Sequence, residues 1–366
     1  MEAKLQKILD AIRPLDEKAM AEARAYQLSL VKPPKSLGRL EDLSVQLAGI
    51  TGKVHNEVPR KHLFVFAADN GIVKAEPVAS APQSVTFQQS LNLTRARSGA
   101  SVLARRFGCQ LTVVDVGVNA DFHDPAVVNR KIAYGTANIA AGPAMTREQA
   151  LQAILVGAEQ VMEAEDDLFG VGEMGIGNTT SSAAVLSVLL GKDVEEVTGR
   201  GAGVSDEHFK VKKDAIRRAI DVNQPKAGDV VDVIAKVGGF DIAAMCGAYL
   251  GAAACRKPVV IDGFISAVAA LCAARLSHLA RDYMIPSHCS FEIGYGLAME
   301  QLGLEPLLQL NMRLGEGSGC PLAFQLVEAA CTIINEVATF AQGGIEDDYL
   351  DNLGAGDNFT VHKKRS

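Results

Sequence analysis

The segment DLFGVGEMGIGNTTSS, residues 167–182, decides the fold. Its first half is a short apolar run that ends on a carboxylate, Glu173, among glycines. Asn178, Thr179 and Thr180 then open an apolar stretch with helical spacing. A continuous apolar run of this length that hands over to a helix is the mark of a buried parallel strand. Three more runs end the same way, in an acidic residue and glycine: LFVFAADNG (63–71), LTVVDVGV (111–118) and PVVIDGF (258–264). Between the second and third runs of the chain, Thr146 and Gln149 make a capping box ahead of ALQAILVG. Further helices are expected over 98–107, 179–190, 205–221, 241–254, 266–280 and 322–341. The alternation predicts an α/β fold, a doubly wound and mostly parallel Rossmann-like sheet with right-handed crossovers. The first 60 residues read as helical around a polar, proline-rich turn, KPPKSLG (32–38). With part of 320–350 they are expected to form a smaller helical lobe, leaving 61–320 as the α/β core and 351–366 as a polar tail. No internal repeat is visible.

Composition narrows the function classes. The 366 residues are 48% hydrophobic and 22% charged, enough for a large core, and the low aromatic share of 5% with abundant Gly and Ala implies closely packed helices. A net charge of −7 speaks against a nucleic-acid surface, which needs clustered Lys and Arg. The one basic run, His362 to Arg365, reads as part of a solvated tail. Seven scattered cysteines without a CxxC read as reduced core thiols of a cytoplasmic protein, and seven dispersed histidines without HxH or HxxxH argue against a metal site. No cofactor is expected. The start of the chain is an amphipathic mixed-charge helix instead of a signal peptide, and the most apolar stretch, 258–280, is interrupted by Asp262, Arg275 and His278, so neither export nor membrane insertion is expected.

Ligands of such sheets bind at the carboxyl ends of the strands. Asp69, Asp115, Glu173 and Asp262 all fall there and become site candidates, although some of the four can simply cap a following turn. Gly170, Gly172 and Gly175 match GxGxxG, the dinucleotide fingerprint, with Asp193 downstream. A glutamate inside that turn would repel a pyrophosphate. The following GIGNTTSS suits a single phosphate better, held by the N–H groups of a helix start and the hydroxyls of Thr179 and Thr180, with an ordinary helix cap as the plainer reading. A second cluster, GRGAGVSD (199–206), precedes a helix bearing Lys210, Lys212 and Lys213, one of which could return toward that phosphate. Finally MRLGEGSG (312–319) isolates Glu316 among glycines, each of which costs roughly 0.5–1 kcal/mol relative to alanine in a regular element. A carboxylate on so unusual a loop is a candidate general base, against the blander reading of a solvated turn.

Together these segments resemble the nicotinate-nucleotide:dimethylbenzimidazole phosphoribosyltransferase family, nearly from end to end. The resemblance rests on KPPKSLGRLE (32–41), AADNG (67–71), PQSVT (82–86), VGEMGIGNTT (171–180), VNQP (222–225), KVGGFDIAAM (236–245), DGFISAVAAL (262–271), PSHCSFEIG (286–294) and MRLGEGSG (312–319), in that order. It implies transfer of phosphoribose from nicotinate mononucleotide to a benzimidazole nitrogen, with release of nicotinate, in nucleotide-loop synthesis for cobamides. It further implies Glu316 as the base, Glu173 as a carboxylate beside the ribose, and Gly175, Gly177, Asn178, Thr179, Thr180, Gly201, Gly203, Lys212 and Arg313 around the phosphate and nicotinate. Ala81, Gln89, Met174, Ser290, Phe291 and Leu314 would form the acceptor pocket. The family also implies a homodimer, or a heterodimer with a related subunit. Asn70, Ala81, Phe291 and Ile293 depart from the family's usual residues, and Ala81 and Phe291 are expected to make the acceptor pocket less polar or smaller, which leaves adenine or a phenol as acceptor alternatives. Two other classes stay open at this point: an NAD-dependent oxidoreductase built on 170–175, and a non-catalytic nucleotide-binding paralogue.

Overall fold

The computed structural model describes residues 1–346, so the expected tail at 351–366 lies outside the described residues. The described chain divides into two compact units, one of Met1–Leu15 with Glu57–Glu328, the other of Asp16–Asn56 with residues 329–346.

The larger unit is built on six strands: β1 (Lys61–Ala68), β2 (Gln110–Gly117), β3 (Val127–Asn129), β4 (Leu168–Met174), β5 (Val259–Ile261) and β6 (Met284–Pro286). They form one sheet in the order β3-β2-β1-β4-β5-β6, and every neighbouring pair is parallel. The Rossmann-like α/β expectation therefore holds. All eight residues of β1 are buried, as a central strand covered on both faces requires. From β1 the chain runs outward through β2 and β3, then returns to β1's other side and continues through β5 and β6. The order reverses between β1 and β4, so the crevice outside their carboxyl ends is where this topology places a ligand.

Strands β3 and β6 have three residues each, like β5, but lack the acid-and-glycine ending that marks β5 in the sequence. Helices Ser84–Thr94, Val230–Val237 and Ile293–Leu302 were likewise not foreseen. The Thr146–Gln149 capping box is present and opens Arg147–Met162. That helix packs on Phe240–Ala254 so closely that a Cβ on Gly157 would stand 1.7 Å from the Ala244 carbonyl oxygen, and one on Gly247 1.8 Å from that of Ile154. The many small residues are what allow this approach. The N-terminal helix Glu2–Ala11 buries Leu5 and Ile8 and packs on the same two helices, so the boundary falls at Leu15 instead of residue 60.

The smaller unit is helical. Glu17–Ser29, capped by Asp16, and Arg39–Thr51 bury Ala19, Ala23, Val45 and Ala48 around Ile334. In the KPPKSLGRLE turn, Lys32 lies 2.7 Å from Glu41, both nearly buried. None of the seven cysteines forms a disulfide; five are buried, Cys255 is half-buried and Cys289 is exposed.

Candidate active site

Two of the three GxGxxG glycines lie inside β4, not in a turn after it. A Cβ on Gly170 would stand 2.7 Å from the Cys320 Cβ, and one on Gly172 2.5 Å from the Gly317 nitrogen. These glycines serve to let the 315–320 segment lie flat across the strand. The dinucleotide fingerprint is thus a coincidence of spacing, because its glycines must sit in the strand-to-helix turn.

The segment that crosses β4 carries Glu316, at φ 62° and only 3% exposed. Glycines 315 and 317 on either side also have positive φ, at 81° and 80°, which explains the glycine-rich sequence. Carboxylates at the ends of two strands hold it. Asp262, just after β5, accepts from Gly317 N–H at 3.0 Å and from Gly319 N–H at 2.7 Å. Glu173 Oε1, near the end of β4, accepts from Glu316 N–H at 3.3 Å. The Glu316 carboxylate itself accepts from Gln89 Nε2 at 2.6 Å and from Ala100 N–H at 3.3 Å.

Beyond the end of β4 lies a cleft. Val78, Ala81, Met174, Ile176, Ile265 and Leu314 give it an apolar lining, and Thr179, Arg200, Gly201, Ser290, Glu292 and Arg313 a polar one. Glu173, Gly175, Gly177 and Asn178 form its floor at the start of helix Asn178–Leu190. That helix begins at Gly177, φ 91°, with no side-chain cap; Asn178 N–H turns back to the Gly175 carbonyl and Thr180 N–H to that of Gly177. Lys212, only 1% exposed, reaches it from helix Asp206–Asn223 and donates to Thr179 Oγ1 at 2.8 Å.

The electrostatics are unusual for so small a volume. Asn178 donates from its one amide nitrogen to Glu173 Oε2 at 2.5 Å and to Asp241 Oδ2 at 2.9 Å. Burial pushes the Glu173 carboxyl up to about 8, reinforced by the charges of Asp241 and Asp262 and opposed by the Asn178 and Glu316 donors. Burial also pushes Asp241 up to about 6. Lys212 is driven down to about 8 by burial, partly offset by the Glu292 charge. For His288, burial lowers the pKa, but its hydrogen bond and charge contact with Asp262 outweigh this and raise it.

Of the residues expected at the site, Ala81, Glu173, Met174, Gly175, Gly177, Asn178, Thr179, Gly201, Ser290, Arg313 and Leu314 line the cleft. Lys212 stands behind Thr179, and Gln89 and Glu316 pair with one another behind the Leu314–Gly315 wall. Thr180 is fully buried under the helix start, its hydroxyl without a partner. Gly203 has open space around it, while its neighbours Ala202 and Val204 line the cleft. Phe291 does not narrow the pocket as expected. It is 67% exposed, because its N–H pairs with the Met312 carbonyl just ahead of helix Ile293–Leu302 and the ring is left outside. Of the four acids at strand ends, only Glu173 lines the cleft. Asp115 accepts from Gly117 and Val118 N–H and pairs with Lys131 at 2.9 Å, and Asp69 Oδ2 accepts from Asn119 N–H. Asn70 Oδ1 accepts from Ser181. Sequence reading missed Asp241, Glu292, Arg200 and His288. The signal for Asp241 was a lone acid opening an otherwise apolar helix.

Comparison with known proteins points to one family. The profile of a family described as phosphoribosyltransferase matches residues 12–345. A nicotinate-nucleotide–dimethylbenzimidazole phosphoribosyltransferase of Alkaliphilus metalliredigens is 50% identical over 346 residues, which cover 93% of this chain and 99% of that one. One of Clostridium perfringens is 47% identical over 352 residues, 95% of this chain and 97% of its own. A crystal structure of the enzyme so named from Thermus thermophilus superposes with a TM-score of 0.85 at 40% identity, covering 91% of this chain and 99% of that one.

Gly172→Ala should lower stability by about 1–3 kcal/mol, the usual cost of an added group where backbone already fills the space. Gly142→Ala, with nothing within 4 Å of its Cβ position, should change it by no more than about 0.5 kcal/mol. Urea unfolding of both variants checks this pair, and equal stabilities would show that the 315–320 segment does not depend on contact with β4.

Proposed function

The chain belongs to the phosphoribosyltransferase family of these relatives, and from that premise we propose that it transfers the phosphoribosyl group of nicotinate mononucleotide to an aromatic base, giving an α-ribazole 5′-phosphate-type product and nicotinate. The observation that carries the proposal is the pair of buried carboxylates tied together at the switch point: Glu173 facing the cleft, and Glu316 one layer behind, its N–H on Glu173.

The reaction breaks the bond between C1′ and the pyridinium nitrogen. Its electron pair returns to the ring, so nicotinate leaves without needing a proton. A ring nitrogen of the acceptor forms the new bond from the opposite face, inverting β to α, and the acceptor's N–H proton is lost. Glu316 is the base we assign to that proton. In the empty cleft its carboxylate is held by Gln89, so the acceptor's N–H takes the place of the Gln89 amide as donor. Proton removal of this kind supplies roughly 10²–10⁴-fold.

Glu173 faces the sugar carbon as positive charge develops there. With a pKa of about 8 in the empty cleft, it is largely protonated at neutral pH. The pyridinium of the bound donor draws it toward the carboxylate form. The 5′-phosphate sits at the start of helix Asn178–Leu190, with Gly175, Gly177, Thr179, Gly201 and Lys212 as its surroundings, and Arg313 takes the nicotinate side. The apolar wall of Ala81, Met174 and Leu314 receives the acceptor. Ala81 offers a methyl group and no hydroxyl there, which favours an apolar aromatic acceptor. Phe291, Ile293, Leu310 and Leu314 are large apolar side chains left exposed, and they give the expected second copy a surface to cover.

Incubation of nicotinate mononucleotide with dimethylbenzimidazole, benzimidazole, adenine, phenol and p-cresol tests the reading. Nicotinate release with a benzimidazole is the expected result, and release with none of the five would refute it. The pH dependence is a second test. Activity needs Glu173 ionised, so kcat/KM should fall as pH drops below about 8. It also needs Lys212 charged, so kcat/KM should fall again above about 8. The outcome is a narrow bell with its maximum near the coinciding values. Glu173→Gln should abolish the acid limb and Lys212→Arg the alkaline one; a flat profile in the parent enzyme contradicts both assignments.

A further inference from the structure

Glu292 is the one acidic side chain on the anion-binding side of the cleft among the described residues, and the mechanism gives it no task. It stands immediately before helix Ile293–Leu302, and its carboxylate reaches across to the 199–201 glycines. A Cβ on Gly199 would lie 1.9 Å from its Oε2, so a glycine is required for it to sit where it does. The Gly201 N–H hydrogen-bonds it, and the Lys212 and Arg313 charges both attract it. Its Oε2 is nonetheless buried with no donor. Lys212 in turn lies close by: its Nζ is 3.5 Å from the Cβ position of Gly201.

A carboxylate that belongs to the protein thus stands in the field of the Lys212 and Arg313 charges, and one of its oxygens has no donor. It therefore gives up little when another anion takes its place. We infer that Glu292 is a resident anion of the phosphate subsite, standing beside the Gly201 N–H and in the field of Lys212 until the 5′-phosphate of a mononucleotide displaces it. This rests on the reading of the cleft as a mononucleotide site.

The consequence is selectivity. An incoming anion must release Glu292 before it gains its own contacts, so its apparent affinity is reduced by the fraction of time the subsite stands open. A phosphate monoester on a nucleotide carries close to two charges and is anchored by its ribose and ring as well. It can displace the carboxylate where free inorganic phosphate, with nothing else to hold it, competes poorly. Glu292 therefore keeps abundant small anions out of a site whose donors would otherwise bind them, a repulsive element serving specificity.

The test is binding of inorganic phosphate to the full chain by calorimetry, beside inhibition by phosphate of nicotinate release from nicotinate mononucleotide. Glu292→Gln should bind inorganic phosphate about tenfold more tightly than the parent, with phosphate inhibition strengthened in parallel. Glu292→Asp, whose shorter side chain no longer reaches Gly201, should move the same way and covers the case in which the glutamine variant does not fold. In a Lys212→Ala background the gain from Glu292→Gln should vanish. Unchanged or weaker phosphate binding in both Glu292 variants overturns the inference and makes Glu292 a ligand of the substrate or a structural residue. Turnover by the parent enzyme separates the two levels. If it releases nicotinate yet the variants bind phosphate no better, only the resident-anion role falls; if it releases none with any base, the mononucleotide reading itself falls.

Discussion

The contact of the 315–320 segment with β4 is the constraint on which the rest of the site depends. A loop with three consecutive positive-φ residues, Gly315, Glu316 and Gly317, bonds Ser318 and Cys320 N–H within itself but not those of Glu316, Gly317 and Gly319. Those are instead taken by Asp262 and Glu173 at the ends of two parallel strands. Gly170 and Gly172 remove the side chains that would keep it off the strand. The non-glycine residue at φ 62°, Glu316, is the one to which the proposed mechanism gives the proton, and strain of this sort persists only where the surroundings over-determine it. The sheet thus does more than hold a crevice open. It fixes the position of the base through carboxylates that also set the charge of the cleft.

That arrangement gathers Glu173, Asp241, Asp262 and Glu316 into buried contact around a cleft for anionic substrates. Repulsion is limited in three ways. Burial holds Glu173 and Asp241 above the usual carboxylate range, so they are not both fully charged at neutral pH. Asn178 spans the pair with a single amide nitrogen. On the far side the helix start and Lys212 supply positive potential with little exposed cationic charge. In the proposed mechanism, keeping the acidic residues apart from Lys212 lets one small volume hold a phosphate and stabilise a cationic sugar carbon.

Much of this was legible in the chain. The apolar runs ending in acid and glycine marked β1, β2, β4 and β5, because strands buried on both faces leave a continuous apolar signature. Strands β3 and β6 lack the acid-and-glycine ending, β3 running into Arg130 and β6 into Ser287. The reading of Glu173 and Asn178–Thr180 at the end of β4 followed from topology alone, since a carboxylate in that turn disfavours a pyrophosphate. What the sequence hid was long-range contact. Glycines 170 and 172 looked like a nucleotide turn, yet they answer to residues 316–320, far away in the chain. Asp262 read as one of four open site candidates and grips a loop, and Phe291 read as a pocket wall but is exposed. Asp241 and Glu292 acquire meaning only from partners that no local pattern names.

The most direct measurement of the central claim compares Glu316→Gln with the parent protein in two readouts, turnover with a benzimidazole acceptor and affinity for nicotinate mononucleotide. The account predicts a fall in turnover of roughly a hundredfold or more, the contribution of a positioned base, with mononucleotide affinity nearly unchanged. Parallel loss of affinity and turnover would instead make Glu316 a residue that orders the loop, and undiminished turnover would remove it from the chemistry altogether.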